Sequence, residues 1–363
     1  MTDSSSLFDP ADRLMRRGGS NQVFPGAMLL VLKDANVIFR RAYGAADIYS
    51  RRPVTGDTIF DLASLTKPLA TSVAALMLLQ DGQLQLTQPI GSVLPEFQGT
   101  DKAKIEIQHL LYHSAGLPAY RPYYSALSKL PLAERLPARQ DMLVREALAY
   151  PVGTRFLYSD IGFMILRWVI ETISGMRLDR FVQAAVYEPL GIGDLFFIDL
   201  SGEPPKRVFA ATEWCPWRKS VLQGAVSDEN AHVVGGIDGH AGLFGTGDAL
   251  VQLLQELTTA FSGQSNRGLF QRAWLQKMFG RDPISKRALG FDMPTPGASS
   301  SGAYFSNQTV GHLGFTGTSF WMDLDRDISV ILLTNRVHPT RDNPKIHAFR
   351  PQLHDAVMAS LIR

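Results

Sequence analysis

The chain has 363 residues, of which 45% are hydrophobic and 19% are charged, so it can bury a large core and is neither disordered nor fibrous. Its 36 basic and 34 acidic residues give a formal net charge of +2, without the basic excess of nucleic-acid-binding proteins. A single cysteine, Cys215, excludes an intrachain disulfide. No apolar run approaches the roughly 18 residues of a membrane span.

The N-terminal segment bears on cellular location. Residues 1–20 are rich first in serine and then in charged side chains, and they contain neither an apolar core nor a small-residue cleavage site. This pattern is not that of a secretory signal peptide. We therefore expect a cytoplasmic protein.

Apolar segments near both ends of the chain predict two β-hairpins. Residues 27–32 and 37–39 flank one turn-prone segment, and residues 320–323 and 328–333 flank another. Because helical patterns lie between these pairs, we expect an α+β protein whose antiparallel sheet is built from both ends of the chain and flanked by helices.

Apolar spacing and end signals predict the helices. They are expected over residues 64–80, 105–113, 141–150, 160–173, 247–260 and 346–362, with Pro351 in or before the first turn of the last. The glycine-rich stretch 214–247 predicts a long loop. The length favours two domains: a discontinuous sheet domain of residues 1–80 and 215–363, and an inserted all-helical domain of residues 81–214.

The first candidate for chemistry is the pair Ser64 and Lys67, at the start of an apolar helix. Three residues make nearly one helical turn, so both side chains lie on one face. The positive end of the helix dipole favours a neutral lysine and a developing alkoxide, as a Ser–Lys nucleophile pair requires. The alternative is a serine N-cap followed by a solvated lysine.

Two further segments carry polar side chains suited to catalysis. Tyr158 precedes a predicted helix that starts near Ile161, and its hydroxyl could relay protons; the alternative is that Tyr158 packs as an anchor. In either case we expect Asp160 to cap the helix. His312 lies in the glycine-rich stretch 310–318, where a ligand could approach a strand edge closely. The alternative there is a structural edge strand.

These three segments, in this order and at these separations, resemble the serine β-lactamase and penicillin-binding-protein superfamily. The likeness is closest to class C β-lactamases and to the carboxylesterases that share their fold, and similar segments are spread from Thr58 to Asn335. The resemblance implies the β-lactamase/transpeptidase-like fold, with the site between the sheet domain and the inserted helical domain.

The resemblance also implies roles for individual residues. Ser64 would be the acylated nucleophile, Lys67 would help to deprotonate it, and Tyr158 would shuttle protons. The backbone N–H groups of Ser64 and Phe315 would form the oxyanion hole. His312 would act at the site in the place of the family's lysine.

Other positions depart from the family pattern. His312, Leu313 and Gly314 stand where relatives carry Lys-Thr-Gly, and Asp160 stands where class C enzymes carry asparagine. A neutral histidine and a leucine are less suited to binding a substrate carboxylate, and an ionised Asp160 would favour a charged Lys67. We expect Asp160, Leu313, Gly314 and the loop residue Tyr120 to contact substrate.

The remaining candidates are weaker. Ser114 follows a helix end, where the dipole disfavours an alkoxide, and no Gly-x-Ser-x-Gly elbow occurs. Asp228, His232, Asp238 and His240 match no standard metal spacing, so no metal is predicted. No nucleotide-binding glycine motif is present, and no organic cofactor is expected.

The sequence therefore predicts a serine hydrolase that forms an acyl-enzyme on Ser64 and acts on a carboxylic ester or small amide. The first alternative is a β-lactamase or D,D-peptidase that acts on β-lactams or cell-wall peptides. The second is a ligand-binding relative without turnover. A small-molecule substrate is expected, with neither a nucleic acid nor a membrane as partner, and the sequence leaves the oligomeric state open.

Overall fold

A computed structural model describes residues 7–203, 205–297 and 299–362. The serine-rich start of the chain, residues 1–6, lies outside the described residues. The strands, in chain order, are β1 (Gly26–Lys33), β2 (Asn36–Asp47), β3 (Arg52–Pro53), β4 (Phe60–Asp61), β5 (Leu195–Phe197), β6 (Trp214–Cys215), β7 (Ser220–Val221), β8 (Leu243–Gly245), β9 (Thr309–Leu313), β10 (Ser319–Asp323) and β11 (Ile328–Thr334).

The helices surround these strands. They are α1 (Asp9–Ser20), α2 (Val73–Gln80), α3 (Ile90–Val93), α4 (Ile107–Leu111), α5 (Tyr124–Leu127), α6 (Leu132–Arg145), α7 (Asp160–Ser174), α8 (Leu178–Val182), α9 (Glu229–Val233), α10 (Gly247–Ser262), α11 (Arg272–Met278) and α12 (Ile346–Leu361). A 3-10 turn, Ala63–Leu65, and a π-helix, Lys67–Ser72, lead into α2.

The main sheet has six strands in the order β3-β2-β1-β11-β10-β9, and all its pairs are antiparallel. Both predicted hairpins, β1–β2 and β10–β11, are confirmed. The central pair joins the two ends of the chain, with Ala27 opposite Thr334 and Lys33 opposite Ile328. The predicted sheet built from both ends of the chain is therefore confirmed.

Helices cover both faces of this sheet. Along β1, Leu29 and Val31 pack into an apolar cluster with residues of α1 and α12, whereas Leu30 and Leu32 pack into a larger cluster with α2 and α10. Because β1 is buried on both faces, its sequence is a continuous apolar run instead of an alternating one. The fold is thus helix–sheet–helix in layers.

A small second sheet, in the order β4-β8-β5, lies next to the residues of interest, since Ser64 follows β4 directly. Strand β5 falls within the segment 81–214, which the sequence predicted as all-helical. The stretch 214–247, predicted as a loop, contains β6, β7, α9 and β8, all of them short. Short elements of two to five residues leave too little periodicity to be seen in a sequence.

Two helix predictions were wrong in detail. The helix predicted over residues 141–150 is α6, which begins nine residues earlier and ends at Arg145 because Glu146 is extended, with ψ 129°. Pro351 lies inside α12, beyond the first turn. Helix α1 was not predicted. Within the described ranges, no helix combines the length and apolar character needed to cross a membrane.

We predict that Trp321→Ala lowers the free energy of unfolding by about 3–5 kcal/mol, because Trp321 is fully buried in β10 and its removal leaves a large cavity. The matched control is Trp214→Ala, since Trp214 is 52% exposed, and it should cost about 1 kcal/mol or less. Urea unfolding measures both values. Equal losses in the two variants would contradict the assigned burial.

Candidate active site

Ser64 lies in the 3-10 turn that follows β4. The carboxylate of Asp61 fixes this turn, because it accepts hydrogen bonds from the backbone N–H of Ala63 at 2.9 Å and of Ser227 at 2.7 Å. Burial raises the pKa of Asp61 to about 7. Ser64 therefore lies in a turn that is held by hydrogen bonds to Asp61, and it does not act as the N-cap of a long α-helix.

Lys67 brings three segments of the chain together. Its Nζ atom donates to Ser64 Oγ at 3.3 Å, to Asp160 Oδ1 at 2.7 Å and to the backbone oxygen of His240 at 3.1 Å. The Lys67 side chain is fully buried. An ammonium has three N–H donors, so all three are occupied in this arrangement.

The electrostatics of the pair keep Lys67 charged. Burial alone disfavours the ammonium, but the Asp160 carboxylate and the Tyr158 side chain outweigh it and raise the pKa of Lys67 above its ordinary value. Ser64 Oγ consequently accepts a hydrogen bond from a cation. The expected proximity of Ser64 and Lys67 is present, and the charged Lys67 is the consequence anticipated from an ionised Asp160.

Asp160 does not cap α7. The N-cap is Ser159, whose Oγ accepts from the backbone N–H of Gly162 at 3.3 Å, while the carboxylate of Asp160 is turned toward Lys67. Asp160 is the first residue of the helix, where its charge also favours the positive end of the helix dipole. The prediction of Asp160 as the cap was wrong because both residues have capping side chains.

Tyr158 lies against Lys67, with the ring centroid 4.8 Å from Nζ. Burial raises the pKa of Tyr158, and the Lys67 charge opposes that rise. The Tyr158 ring also packs on His113, with centroids 4.6 Å apart. The phenol is thus protonated and lies next to both a cation and an imidazole.

His312 is buried, and its Nδ1 is 2.9 Å from the backbone oxygen of Leu313. A carbonyl oxygen only accepts, so Nδ1 carries the proton and Nε2 is a bare acceptor. Burial, followed by the nearby charge of Lys67, lowers the pKa of His312 to about 3. At neutral pH His312 is therefore an uncharged side chain in the position where the family carries lysine.

Two threonine side chains hydrogen-bond the loop after β9 to the segment that carries Ser64. Thr316 Oγ1 donates to the Asp61 oxygen at 2.8 Å, and Thr318 Oγ1 donates to the Leu62 oxygen at 3.2 Å. Gly314 is required there, since a Cβ atom would lie 2.7 Å from the Leu62 oxygen and 2.0 Å from Thr318 Oγ1. At Gly314 the close approach is therefore made by the chain's own Leu62 backbone and Thr318 side chain.

A guanidinium fixes the peptide group of Phe315. Arg336 Nε and Nη2 donate to the Phe315 oxygen at 2.9 and 2.6 Å, and Arg350 Nη2 donates to the oxygens of Gly314 and Thr318 at 2.9 and 2.7 Å. Both arginines are thereby engaged by backbone oxygens of the loop. Neither arginine contact could be read from local sequence, because the bonded residues are distant from each other along the chain.

Two clefts meet at Ser64. The first cleft has a volume of about 400 Å³, and the predicted residues Tyr158, His312, Leu313, Gly314 and Phe315 line it. The second cleft has a volume of about 440 Å³, and Tyr120 and Asp160 line it together with the further carboxylates Asp228 and Glu229. The structure therefore places every predicted site residue, apart from the fully enclosed Lys67, on a cleft wall.

His240 belongs to a buried ion cluster behind the site. Its Nε2 lies 3.0 Å from Asp228 Oδ1 and its Nδ1 lies 3.5 Å from Asp238 Oδ2, and Asp238 also pairs with Arg139 of α6. Burial opposes a charge on His240, but the two carboxylates raise its pKa to about 10. His232 stands apart and packs against Trp217.

Comparisons with known proteins agree with this architecture. The family model described as Beta-lactamase matches residues 11–353. A relative from Escherichia coli (strain K12), named "Putative D-alanyl-D-alanine carboxypeptidase", is 33% identical over 366 residues, which cover 91% of this chain and 83% of the relative. The chain belongs to the beta-lactamase family.

Solved structures show the same fold. EstCE1, described as a hydrolase with promiscuous acyltransferase activity, superposes with a TM-score of 0.78 at 22% identity, covering 98% of this chain and 99% of that protein. A penicillin-binding-protein homolog from Caulobacter crescentus superposes with a TM-score of 0.74 at 20% identity, covering 98% of each chain. The chain is a serine hydrolase of the beta-lactamase family, and its predicted fold class is confirmed.

We predict that Asp160→Asn lowers the free energy of unfolding by about 3 kcal/mol at pH 7, because it leaves a buried ammonium without its counter-charge. In the variant, burial lowers the folded-state pKa of Lys67, so the unfolded state binds more protons and stability rises with pH. In the wild type that pKa lies above the unfolded value, so Lys67 adds no slope between pH 7 and 10. The difference in unfolding free energy between wild type and variant should therefore narrow by up to about 1.4 kcal/mol for each unit of rising pH.

The control for this measurement is Asp248→Asn, which breaks a solvent-exposed pair with Arg40. Its effect should stay below about 1 kcal/mol and should not change between pH 7 and 10. Denaturant unfolding at three pH values in that range gives both series. A pH-independent gap for Asp160→Asn would contradict a charged Lys67 stabilised by Asp160.

Proposed function

We propose that this protein hydrolyses carboxylic esters or small amides by two-step acyl transfer on Ser64. The observation that carries the proposal is the uncharged His312 in the lining of the first cleft, next to Leu313, where relatives carry a cation and a hydroxyl. Of the arginines that line the same cleft, Arg336 and Arg350 donate to backbone oxygens of the loop after β9. Arg287 pairs with Asp292. A neutral acyl group fits this wall better than a carboxylate does.

In the proposed mechanism, Ser64 Oγ attacks the acyl carbon while the backbone N–H groups of Ser64 and Phe315 hold the oxyanion. Lys67, as an ammonium with its donors occupied, orients Oγ and stabilises its developing negative charge. The Ser64 proton passes to the Tyr158 oxygen as the Tyr158 proton moves to the oxygen of the leaving alcohol. The centroid of the uncharged His312 ring lies 5.9 Å from that of Tyr158, and His312 keeps its protonation state throughout.

The first step ends when the C–O bond to the leaving alcohol breaks and the alcohol departs with the proton that it received from Tyr158. Water then attacks the acyl-enzyme, with its proton passed along the same path in reverse to Ser64 Oγ. The products are a carboxylic acid and an alcohol, or an amine for an amide. Every group in this cycle returns to its initial protonation state, and no cofactor enters it.

A second candidate is action on cell-wall D-alanyl peptides or on β-lactams. The name of the Escherichia coli relative favours it. The uncharged His312 favours the ester instead. Turnover of p-nitrophenyl esters compared with covalent labelling by penicillin separates the two candidates. Because EstCE1 is described as having promiscuous acyltransferase activity, the same assay should also include an alcohol acceptor.

We predict that Ser64→Ala lowers kcat/KM for a p-nitrophenyl ester by roughly 10⁴-fold or more, since the nucleophile is lost. Ser114→Ala is the matched control, because Ser114 is a buried serine outside the two clefts' described linings and should retain activity. Mass spectrometry after a fluorophosphonate probe should place the label on Ser64. Unchanged turnover in Ser64→Ala would falsify the proposal.

The protonation of His312 makes a prediction about pH. We compare a neutral p-nitrophenyl butyrate with the half-ester of succinic acid, which carries a carboxylate. Because His312 gains a proton only near pH 3, the ratio of their kcat/KM values should stay constant from pH 8 to pH 6. A cationic histidine with the ordinary pKa of about 6.5 would instead favour the carboxylate-bearing ester as the pH falls.

A further inference from the structure

His113 contacts the chain on both sides of Tyr158. Its backbone oxygen accepts from the N–H of Leu157 at 2.9 Å, and its Nδ1 accepts from the N–H of Ser159 at 3.0 Å. Because Nδ1 accepts, the proton of the neutral ring is on Nε2. One residue thus binds both neighbours of the tyrosine that the proposed mechanism uses.

The imidazole of His113 also packs directly on Tyr158. The rings are tilted by 34° with centroids 4.6 Å apart, and the centroid of the imidazole also lies 5.1 Å from that of Phe163 in α7. Burial, followed by the charge of Lys67, keeps the pKa of His113 well below its ordinary value. The ring is therefore uncharged, and it packs on both the phenol and α7.

The backbone of His113 adopts a conformation that few side chains favour. Its φ is +54°, in the left-handed region, directly after α4. Such a conformation costs about 1 kcal/mol or more and persists where surrounding contacts require it. Here it directs the backbone oxygen and the ring of the same residue toward the 157–159 segment.

We propose that His113 is a positioning residue that holds Tyr158 in the orientation needed for proton transfer to and from Ser64. It does so through two backbone hydrogen bonds that flank Tyr158 and through contact with the phenol ring. This inference rests on the proposed function of Tyr158. It assigns a role to a residue that the sequence analysis passed over as part of a helix end.

Two variants separate the hydrogen bond from packing. His113→Phe keeps an aromatic ring but cannot accept from the Ser159 N–H. His113→Asn supplies an acceptor, Oδ1, that is bonded to Cγ as Nδ1 is in histidine, and asparagine tolerates a positive φ. His109→Phe is the matched control, since His109 lies on neighbouring α4 and its Nδ1 accepts from the Glu106 N–H, away from Tyr158.

The experiment measures kcat and KM for a p-nitrophenyl ester, the rate of fluorophosphonate labelling of Ser64, and the thermal midpoint of each protein. His113→Phe should lower kcat and the labelling rate about 10- to 100-fold, with KM changed less than about threefold. His113→Asn should recover most of the lost kcat, and His109→Phe should retain it.

Three outcomes overturn the inference: a folded His113→Phe protein with wild-type kcat, an asparagine variant no more active than the phenylalanine variant, or losses that follow only the folded fraction. A wild-type protein that neither turns over esters nor labels at Ser64 rejects the proposed function itself. The two failures are therefore distinguishable.

Discussion

The buried positive charge of Lys67 is the constraint on which the rest of the site depends. An ammonium removed from water is strongly disfavoured unless its donors and its charge are satisfied. Here the acceptors come from the turn after β4, from the first residue of α7 and from the loop before β8. Each of these segments must be in place for the lysine to remain charged, so one ion defines the relative positions of all three.

Ion pairs fix the position of His240, whose backbone oxygen accepts the hydrogen bond from Lys67. Its imidazole lies between Asp228 and Asp238, and Asp238 is paired with Arg139 of α6. Thr71 Oγ1 adds a hydrogen bond to the neighbouring Gly239 oxygen at 2.6 Å. Helix α6 is thereby connected to the turn that carries Ser64 by buried ionic contacts as well as by apolar packing, and such contacts tolerate little displacement.

The residues that the sequence identified are those whose signal is local. Ser64 and Lys67 are three positions apart, so their common face follows from helical geometry. The contact of Lys67 with Asp160 spans 93 positions, and only the likeness to known relatives directed attention to it. His113 was missed because the glycine three residues later explains the helix end equally well, and a positive φ on histidine leaves no mark in a sequence.

The fold could be predicted where apolar runs were long. The prediction failed where tertiary contacts override local conformational preference. Strand β1 and the final hairpin carry strong β-type patterns, so their pairing into a common sheet followed. Pro351 contradicts helical propensity, yet α12 continues through it because one helix face is buried against the sheet by Phe349 and Leu353. The domain boundaries at residues 80 and 215 stay predictions.

The pairing of β1 with β11 has a consequence for biosynthesis. Ala27 and Thr334 are neighbours in the sheet but leave the ribosome about 300 residues apart, a separation that makes their pairing slow to form. Until then the β1–β2 hairpin has an unpaired apolar edge, which is a hazard for association with other chains. This edge is covered only after β11 has been translated, and the cleft beside Ser64 is complete only when β9 and the loop after it are in place.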